Sequence, residues 1–144
     1  MLKNLNLQYL LSYLGLIPYI LILLDKYFFF QIKEEIVINF SIYYTLTILV
    51  FIGAINWNLE QKIINKLAIY GFFPSLIALL IIILNLYNFN SSYLFLFLIF
   101  VLALQLLFDY ILIYSRKSVK KSFYLLRFPL TILIIFCLNL TIFL

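Results

Sequence analysis

The hydrophobic positions of the chain fall into four stretches without a charged residue, and short polar segments separate them. These stretches cover residues 4–24, 36–59, 67–108 and 128–144. Crossing the ~30 Å hydrocarbon core of a bilayer takes roughly 20 helical residues, so the third stretch is long enough for two crossings. The turn-forming residues at 85–92 divide it. The pattern predicts an all-α integral membrane bundle of five transmembrane helices, near residues 6–25, 37–59, 67–87, 92–114 and 123–143.

Composition indicates a membrane protein, which we predict to form a single domain over residues 1–144. Of its residues, 67% are hydrophobic and 10% are charged, whereas soluble domains carry about a quarter charged residues. The mean hydropathy of +1.19 agrees. Cys137 is the single cysteine and the chain has no histidine. This excludes an intrachain disulfide and the usual haem and zinc sites, so the sequence predicts no metal site and no cofactor.

The ten basic residues divide unevenly between the two sides of the membrane that five crossings define. Lys26 and Lys33 lie on the side of the first loop. The other eight lie on the N-terminal side: Lys3, Lys62, Lys66, Arg116, Lys117, Lys120, Lys121 and Arg127. Because cytoplasmic loops are enriched in Lys and Arg, we predict that the N-terminus is inside and the C-terminus outside.

The net charge of +5 is then a signal of topology rather than of nucleic-acid binding. Four residues of the last cytoplasmic loop are predicted to contact anionic lipid headgroups, namely Arg116, Lys117, Lys120 and Lys121. The first outer loop, near 27–37, mixes Tyr and Phe with charged residues. We expect it to anchor in the outer interface, where aromatic rings sit at headgroup depth; a partner-binding loop is the alternative.

Polar or small residues recur on one face of helices 2, 3 and 4, near their cytoplasmic ends. The face of helix 2 comprises Gly53, Asn56, Trp57 and Glu60. The face of helix 4 comprises Gln105, Asp109, Leu112 and Arg116. Helix 3 has a face of small residues, which permits close approach of a neighbouring helix: Gly71, Pro74, Ser75 and Ala78.

These faces lie at similar depth, while the outer halves are nearly all Leu, Ile, Phe and Tyr, so we expect the polar chemistry in the inner leaflet. The sequence predicts one polar cluster there, either a ligand site or a structural element: Asn56, Trp57, Glu60, Ser75, Gln105, Asp109 and Arg127. If the cluster is structural, its polar side chains form hydrogen bonds between helices. For Trp57 an interfacial anchor is the corresponding interpretation.

Three prolines are predicted to kink their helices: Pro18, Pro74 and Pro129. A proline cannot bond to the carbonyl four residues back. Pro129 fits the first turn of helix 5, whereas Pro18 lies too deep in helix 1 for a first turn. The freed carbonyls of Leu14, Tyr70 and Leu125 need donors within a membrane. We expect these donors from Asn56, Trp57, Gln105 or Arg127.

Asp109 is the one acid inside an apolar segment, and Arg127 across the helix 4–5 hairpin is its expected counter-ion. Such a pair is either a buried tether or the switchable group of a ligand or proton site. No nucleophile–base arrangement, phosphate loop or metal spacing accompanies it, so we do not expect an enzyme. A non-catalytic structural or assembly role in a membrane complex is the leading prediction. A small transporter, or a protein that binds a small molecule or lipid through Asp109, is the alternative.

Five short motifs in chain order resemble those of small bacterial membrane proteins related to mitochondrial transmembrane protein 69, a family of unknown function. They are Gly15-Leu-Ile-Pro18, Gly53-Ala-Ile-Asn56-Trp57, Pro74-Ser75-Leu76, Gln105-Leu-Leu-Phe-Asp109 and Arg127-Phe-Pro-Leu-Thr131. The resemblance implies an integral inner-membrane protein, of a bacterial plasma membrane or a mitochondrion, and no particular activity. The family usually carries His before the tryptophan and Gly after it, where this chain has Asn56 and Asn58. Any chemistry of that histidine is lost here, whereas a hydrogen-bonding role is within reach of Asn56.

Overall fold

The computed structural model describes residues 9–55, 65–114 and 123–143. Within these ranges the chain is helical apart from its turns and contains no strand, which confirms the all-α prediction. Five helices there are long and apolar enough to cross a membrane, so the protein is a multi-pass membrane protein. They are α1 (Tyr9–Phe29), α2 (Glu34–Ile55), α3 (Asn65–Leu86), α4 (Ser91–Asp109, extended by the π-helical turn Tyr110–Tyr114) and α5 (Phe128–Phe143, preceded directly by the π-helical turn Phe123–Arg127).

A tight turn between α3 and α4 provides the predicted break in the long apolar stretch. Asn88 takes the left-handed conformation with φ 55°, which asparagine tolerates better than most residues. Its N–H donates to the carbonyl of Asn85 at 3.0 Å, and the N–H of Phe89 donates to that of Leu84 at 3.1 Å. These two bonds form the Schellman arrangement that ends helices. The side-chain oxygen of Asn90 then caps the start of α4.

α1 is interrupted by a tight turn at Gly15 and Leu16, and an α-helix resumes over Ile17–Leu24. The N–H of Leu16 donates to the carbonyl of Tyr13 at 3.0 Å, three residues back instead of four. Pro18 therefore occupies one of the first two positions of the resumed helix, where its missing N–H has no helical partner to lose. The prediction that Pro18 lies too deep for a first turn is wrong, because the helix restarts just in front of it.

Within the described ranges, three π-helical turns lie at helix ends, and each contains or adjoins a charged residue whose side chain is largely buried. They cover Asp25–Phe29, Tyr110–Tyr114 and Phe123–Arg127. Asp25 begins the first, Asp109 directly precedes the second, and Arg127 ends the third. A π turn bonds residue i to i+5 and changes the helical register. The stripe predicted along helix 4 ends for this reason: Gln105 and Asp109 are buried, whereas Leu112 is 37% exposed.

The first loop is shorter than predicted. α1 continues to Phe29 instead of ending near residue 25, and α2 begins at Glu34 instead of near 37. Irregular backbone is confined to residues 30–33. The charges of Asp25 and Lys26 do not end α1, because both side chains are hydrogen-bonded within the protein.

The helices group into two compact units, Met1–Ile38 with Ile99–Leu144, and Asn39–Leu98. Each contains buried apolar side chains, among them Tyr19 and Leu138 in the first unit and Ile81 in the second. The first unit holds α1, the second part of α4 and α5, and therefore the Asp109–Arg127 hairpin. The second holds α3 with most of α2 and the first part of α4.

In the second unit α2 and α3 approach each other at their backbones. A Cβ atom added to Gly53 would lie 2.7 Å from the carbonyl oxygen of Gly71 and 2.9 Å from Cγ of Pro74. Gly71, Pro74 and Ala78 are all buried. This confirms the close approach expected of the small-residue face of helix 3, and it shows that Gly53 is the residue that meets this face.

Candidate functional site

Asp109 and Arg127 form an ion pair across the α4–α5 hairpin. Nε of Arg127 lies 2.6 Å from Oδ2 of Asp109, as their positions in the sequence predict. Only 3% of the Asp109 side chain and 12% of the Arg127 side chain are exposed. On insertion scales a charged Asp costs about 2.5–3.5 kcal/mol at the centre of a membrane helix and less towards its end, so the guanidinium offsets a charge that is costly to bury.

Polar side chains on both helices surround the pair. Gln105 is buried one turn deeper than Asp109 on the same face of α4. Thr131 is buried one turn into α5 and donates its hydroxyl to the carbonyl oxygen of Arg127 at 2.9 Å. The hairpin thus holds a carboxylate, a guanidinium, an amide and a hydroxyl in an apolar setting. This set can bind and orient a polar group.

The guanidinium of Arg127 is not fully used by the described residues. Nε bonds to Asp109, whereas Nη2 is buried and has no hydrogen-bond partner within the described ranges. Leaving a buried donor without an acceptor costs about 1–3 kcal/mol. Nη2 is therefore a position at which a further acceptor would be stabilised.

A second polar contact joins Tyr13 to Leu125, two residues before Arg127. Because Pro129 has no N–H, it cannot bond to the carbonyl of Leu125 four residues back. The hydroxyl of Tyr13, from α1, donates to that carbonyl oxygen at 2.9 Å. The sequence predicts that the Leu125 carbonyl needs a donor, but it names Asn56, Trp57, Gln105 or Arg127 instead of Tyr13.

Aromatic side chains connect the two π turns of the hairpin. The rings of Tyr110 and Phe123 are 5.2 Å apart between centroids, and Phe123 is buried. Phe123 also packs edge-on against Tyr124 at 5.5 Å. Contacts of this kind contribute about 0.5–1.5 kcal/mol beyond the area they bury, and they hold the hairpin together where its α-helical bonding ends.

The other residues of the predicted cluster lie in the second unit or outside the described residues. Ser75 is half-buried in the unit Asn39–Leu98. Three cluster residues, Asn56, Trp57 and Glu60, lie outside the described ranges, as do the four residues predicted to contact anionic lipid, Arg116, Lys117, Lys120 and Lys121. The part of the cluster that the structure describes as one site is therefore Gln105, Asp109 and Arg127, with Thr131 added.

A second polar region, which the sequence did not predict, joins the other end of α1 to the end of α5. Nζ of Lys26 donates to the carbonyl oxygen of Thr141 at 2.6 Å, and the hydroxyl of Tyr27 donates to that of Leu140 at 3.0 Å. Both carbonyls belong to the last turn of α5, where helices have no internal donors. The negative end of the helix dipole also stabilises a cation at this position.

Asp25 completes this second region. Its carboxylate is buried and accepts the N–H of Ile32 at 2.9 Å, which ties the loop back to α1. Buried polar contacts are therefore not limited to the hairpin end, where the sequence predicts its polar cluster. Polar residues are few at this end of the helices, but Asp25, Lys26 and Tyr27 all bond to main-chain groups of the protein.

The unit Asn39–Leu98 also has a polar contact near the end of α3. Nδ2 of Asn85 donates to Oδ1 of Asn39 and to the hydroxyl oxygen of Tyr43, each at 3.0 Å. This network links α2 to α3 next to the α3–α4 turn. Asn85 thus has two structural roles, since its own carbonyl accepts the N–H of Asn88 in that turn.

Sequence patterns gave little signal for these contacts. Lys26, Tyr13 and Tyr27 bond to main-chain carbonyls, which every residue carries. A proline indicates that the carbonyl four residues before it needs a donor, as at Leu125, but it does not indicate which residue supplies that donor. Among the described residues, no three His, Cys, Asp or Glu side chains are grouped so that they could hold a metal ion.

The model of the family described as Protein of unknown function (DUF3429) matches residues 6–143. The chain belongs to this family. The match includes all five helices of the structure, so the hairpin pair and the α1–α5 contacts lie within the family domain. No curated protein and no solved structure matches the chain.

Proposed function

We propose that this member of the family is a non-catalytic structural or assembly component of a membrane complex, in a bacterial plasma membrane or the inner membrane of a mitochondrion. The observation that carries the proposal is the buried ion pair: Asp109 is almost completely buried and its carboxylate is held by Arg127. A transporter or proton relay needs its switchable acid to reach water or substrate. A structural tether needs the opposite, a charge that is enclosed and compensated.

The contacts of α1 with α5 also support a structural role. Tyr13 satisfies a carbonyl near the start of α5, and Lys26 and Tyr27 satisfy two carbonyls near its end. A helix held at both ends is suited to a fixed scaffold. The relation to mitochondrial transmembrane protein 69, which the five motifs suggest, belongs to the same proposal.

The proposal is tested by purifying the tagged chain from its native membrane in mild detergent. We expect a discrete complex that contains the same partner at constant stoichiometry. The double variant Asp109→Asn/Arg127→Gln, which removes both charges and keeps similar shapes, should retain this complex better than either single variant, because each single variant leaves one buried charge without its partner. A chain that always isolates alone would overturn the proposal.

A second function, binding of a small molecule or lipid that carries a hydrogen-bond acceptor, is favoured by one observation. Nη2 of Arg127 is buried without a partner among the described residues, and an acceptor such as a phosphate or carboxylate oxygen would satisfy it. Here both Arg127→Gln and the double variant should abolish ligand-dependent thermal stabilisation. If inorganic phosphate, free fatty acid and anionic phospholipid all leave the melting temperature of the wild-type chain unchanged, this second function is rejected.

The predicted orientation and the predicted contact of the basic loop with anionic lipid also need direct measurement. In a Cys137→Ala background, Gln31→Cys should react with an impermeant thiol reagent from outside intact cells, and Ser118→Cys should react only after the membrane is opened. This result follows from the eight-to-two division of cations. Labelling of position 118 from outside would show that the true topology is the reverse of the predicted one.

A further inference from the structure

The loop between α1 and α2 exposes three consecutive phenylalanines. Phe28, Phe29 and Phe30 are 72%, 64% and 76% exposed; we call them the phenylalanine patch. Phe28 and Phe29 end the π turn of α1, and Phe30 follows it in the left-handed conformation with φ 53°. Bulky residues rarely adopt this conformation, so the surrounding structure must hold the backbone there.

Polar groups next to the patch supply that hold, and they all point into the protein. The carboxylate of Asp25 accepts the N–H of Ile32, and the Asp25 carbonyl accepts the N–H of Phe30 at 2.7 Å. Lys26 and Tyr27 bond to the end of α5. Within six residues the chain therefore changes from inward to outward side chains. The polar groups of residues 25–27 bond within the protein, and the phenyl rings of residues 28–30 are exposed.

This arrangement is the reverse of a loop in water, where charged groups face the solvent and aromatic rings pack inside. In lipid the preference inverts, and polar groups at membrane depth face the protein and pair there. Irregular backbone is tolerated at such depth only where its hydrogen bonds are satisfied, and the bonds made by Asp25 meet this requirement for Phe30 and Ile32.

The patch lies between an apolar helix and a group of charged residues. On its N-terminal side, Ile17–Leu24 of α1 carries no charged residue and exposes Ile20, Leu21 and Leu24. On its C-terminal side, Lys33, Glu34 and Glu35 follow within a few positions and are exposed. Because apolar side chains face the acyl chains and charged ones face the headgroups or water, the patch lies where the acyl chains give way to the headgroups.

The sequence predicts an interfacial anchor for this loop without naming the residues that insert. We propose that the phenylalanine patch is the lipid-inserted part of that anchor, and that its partner is the boundary between acyl chains and headgroups on the α1–α2 side of the bilayer. Asp25, Lys26 and Tyr27 position it by directing the local polar groups into the protein. The anchor fixes the depth of the α1–α5 end of the first unit. It does not depend on the function of the Asp109–Arg127 pair.

The test uses single-tryptophan variants in a Trp57→Phe background, reconstituted in phosphatidylcholine vesicles. Phe29→Trp reports on the patch. Leu21→Trp, a lipid-facing position within α1, is the deep control, and Lys33→Trp is the shallow control. Quenching is measured with lipids brominated either near the top or near the middle of the acyl chain, and with iodide in the buffer.

We expect Phe29→Trp to be quenched most by bromine near the top of the acyl chain and to be several-fold less sensitive to iodide than Lys33→Trp. Leu21→Trp should prefer bromine near the middle. Iodide quenching of Phe29→Trp equal to that of Lys33→Trp would place the patch in water and overturn the proposal. Protection from both iodide and bromolipid would show that protein covers the patch, which overturns it as well. Phe28→Trp replaces Phe29→Trp if the latter does not fold.

Discussion

The two polar regions of the first unit bury charge in different ways. At the hairpin end, Asp109 and Arg127 neutralise each other. At the loop end, Asp25 and Lys26 each bond to a main-chain group, an N–H of the loop and a carbonyl of α5 respectively. The first solution couples two side chains, so that each depends on the other. The second uses backbone groups that stay in place whatever the side chain becomes, and its contributions should be separate and smaller.

The largest effect should follow from breaking the hairpin pair. Arg127→Gln leaves the Asp109 carboxylate buried without its cation and should lower the free energy of unfolding by about 3–5 kcal/mol. Unfolding of the chain from bicelles by titration with a denaturing detergent measures this. Asp109→Asn should have a comparable effect, and the double variant should cost clearly less than the sum of the two. Additive effects would mean that the two residues do not act as a pair.

Asp25 should be the most sensitive position at the loop end. Asp25→Ala removes the acceptor of the Ile32 N–H and should cost about 1.5–3 kcal/mol, the range for hydrogen bonds to charged groups. Asp25→Asn retains an oxygen at this position and should cost less. Hydrogen–deuterium exchange at Ile32 reports on the bond itself. Equal exchange in the alanine variant and the wild type would show that the carboxylate does not hold the loop.

Lys26 should contribute less, because it caps a helix end instead of neutralising a charge. Lys26→Met keeps the aliphatic stem but loses the bond to the Thr141 carbonyl, and we expect a loss of about 0.5–2 kcal/mol in the same unfolding assay. Lys33→Met is the matched control, since Lys33 is exposed in the loop that follows α1. If both variants behave alike, the ammonium of Lys26 is not a significant cap.

The two tyrosines of α1 provide the finest comparison, because each donates to one carbonyl of α5. Tyr13→Phe and Tyr27→Phe each remove a single hydroxyl and should cost about 0.6 kcal/mol, typical of hydrogen bonds in membrane proteins. Tyr13→Phe should cost slightly more, since Pro129 deprives Leu125 of its helical donor. A larger effect for Tyr27→Phe would indicate that the bond to the Leu140 carbonyl at the end of α5 is more important for stability than the bond to the Leu125 carbonyl before Pro129.

Part of the candidate site was predictable from the sequence. Asp109 and Arg127 stand out because a charge in an apolar helix needs a counter-charge, and the short hairpin allowed one partner to be named. Leu112 differs: the helical spacing predicts that it shares a stripe with Gln105 and Asp109, but it lies in the π turn after Asp109 and is exposed, whereas the other two are buried. Sequence spacing assumes 3.6 residues per turn, and nothing in the residues Tyr110–Tyr114 announces a different value.

The same contrast holds for the fold. The chain by itself determined an all-α membrane protein with five crossings, because the hydrocarbon core imposes its thickness on any segment that crosses it. It also determined the α3–α4 turn, through Asn88 and its neighbours, and the hairpin ion pair. Only the tertiary structure decided that Tyr13 meets Leu125 and that Lys26 meets Thr141. These partners lie 112 and 115 residues apart, and their acceptors are main-chain carbonyls, identical at every position until packing selects one.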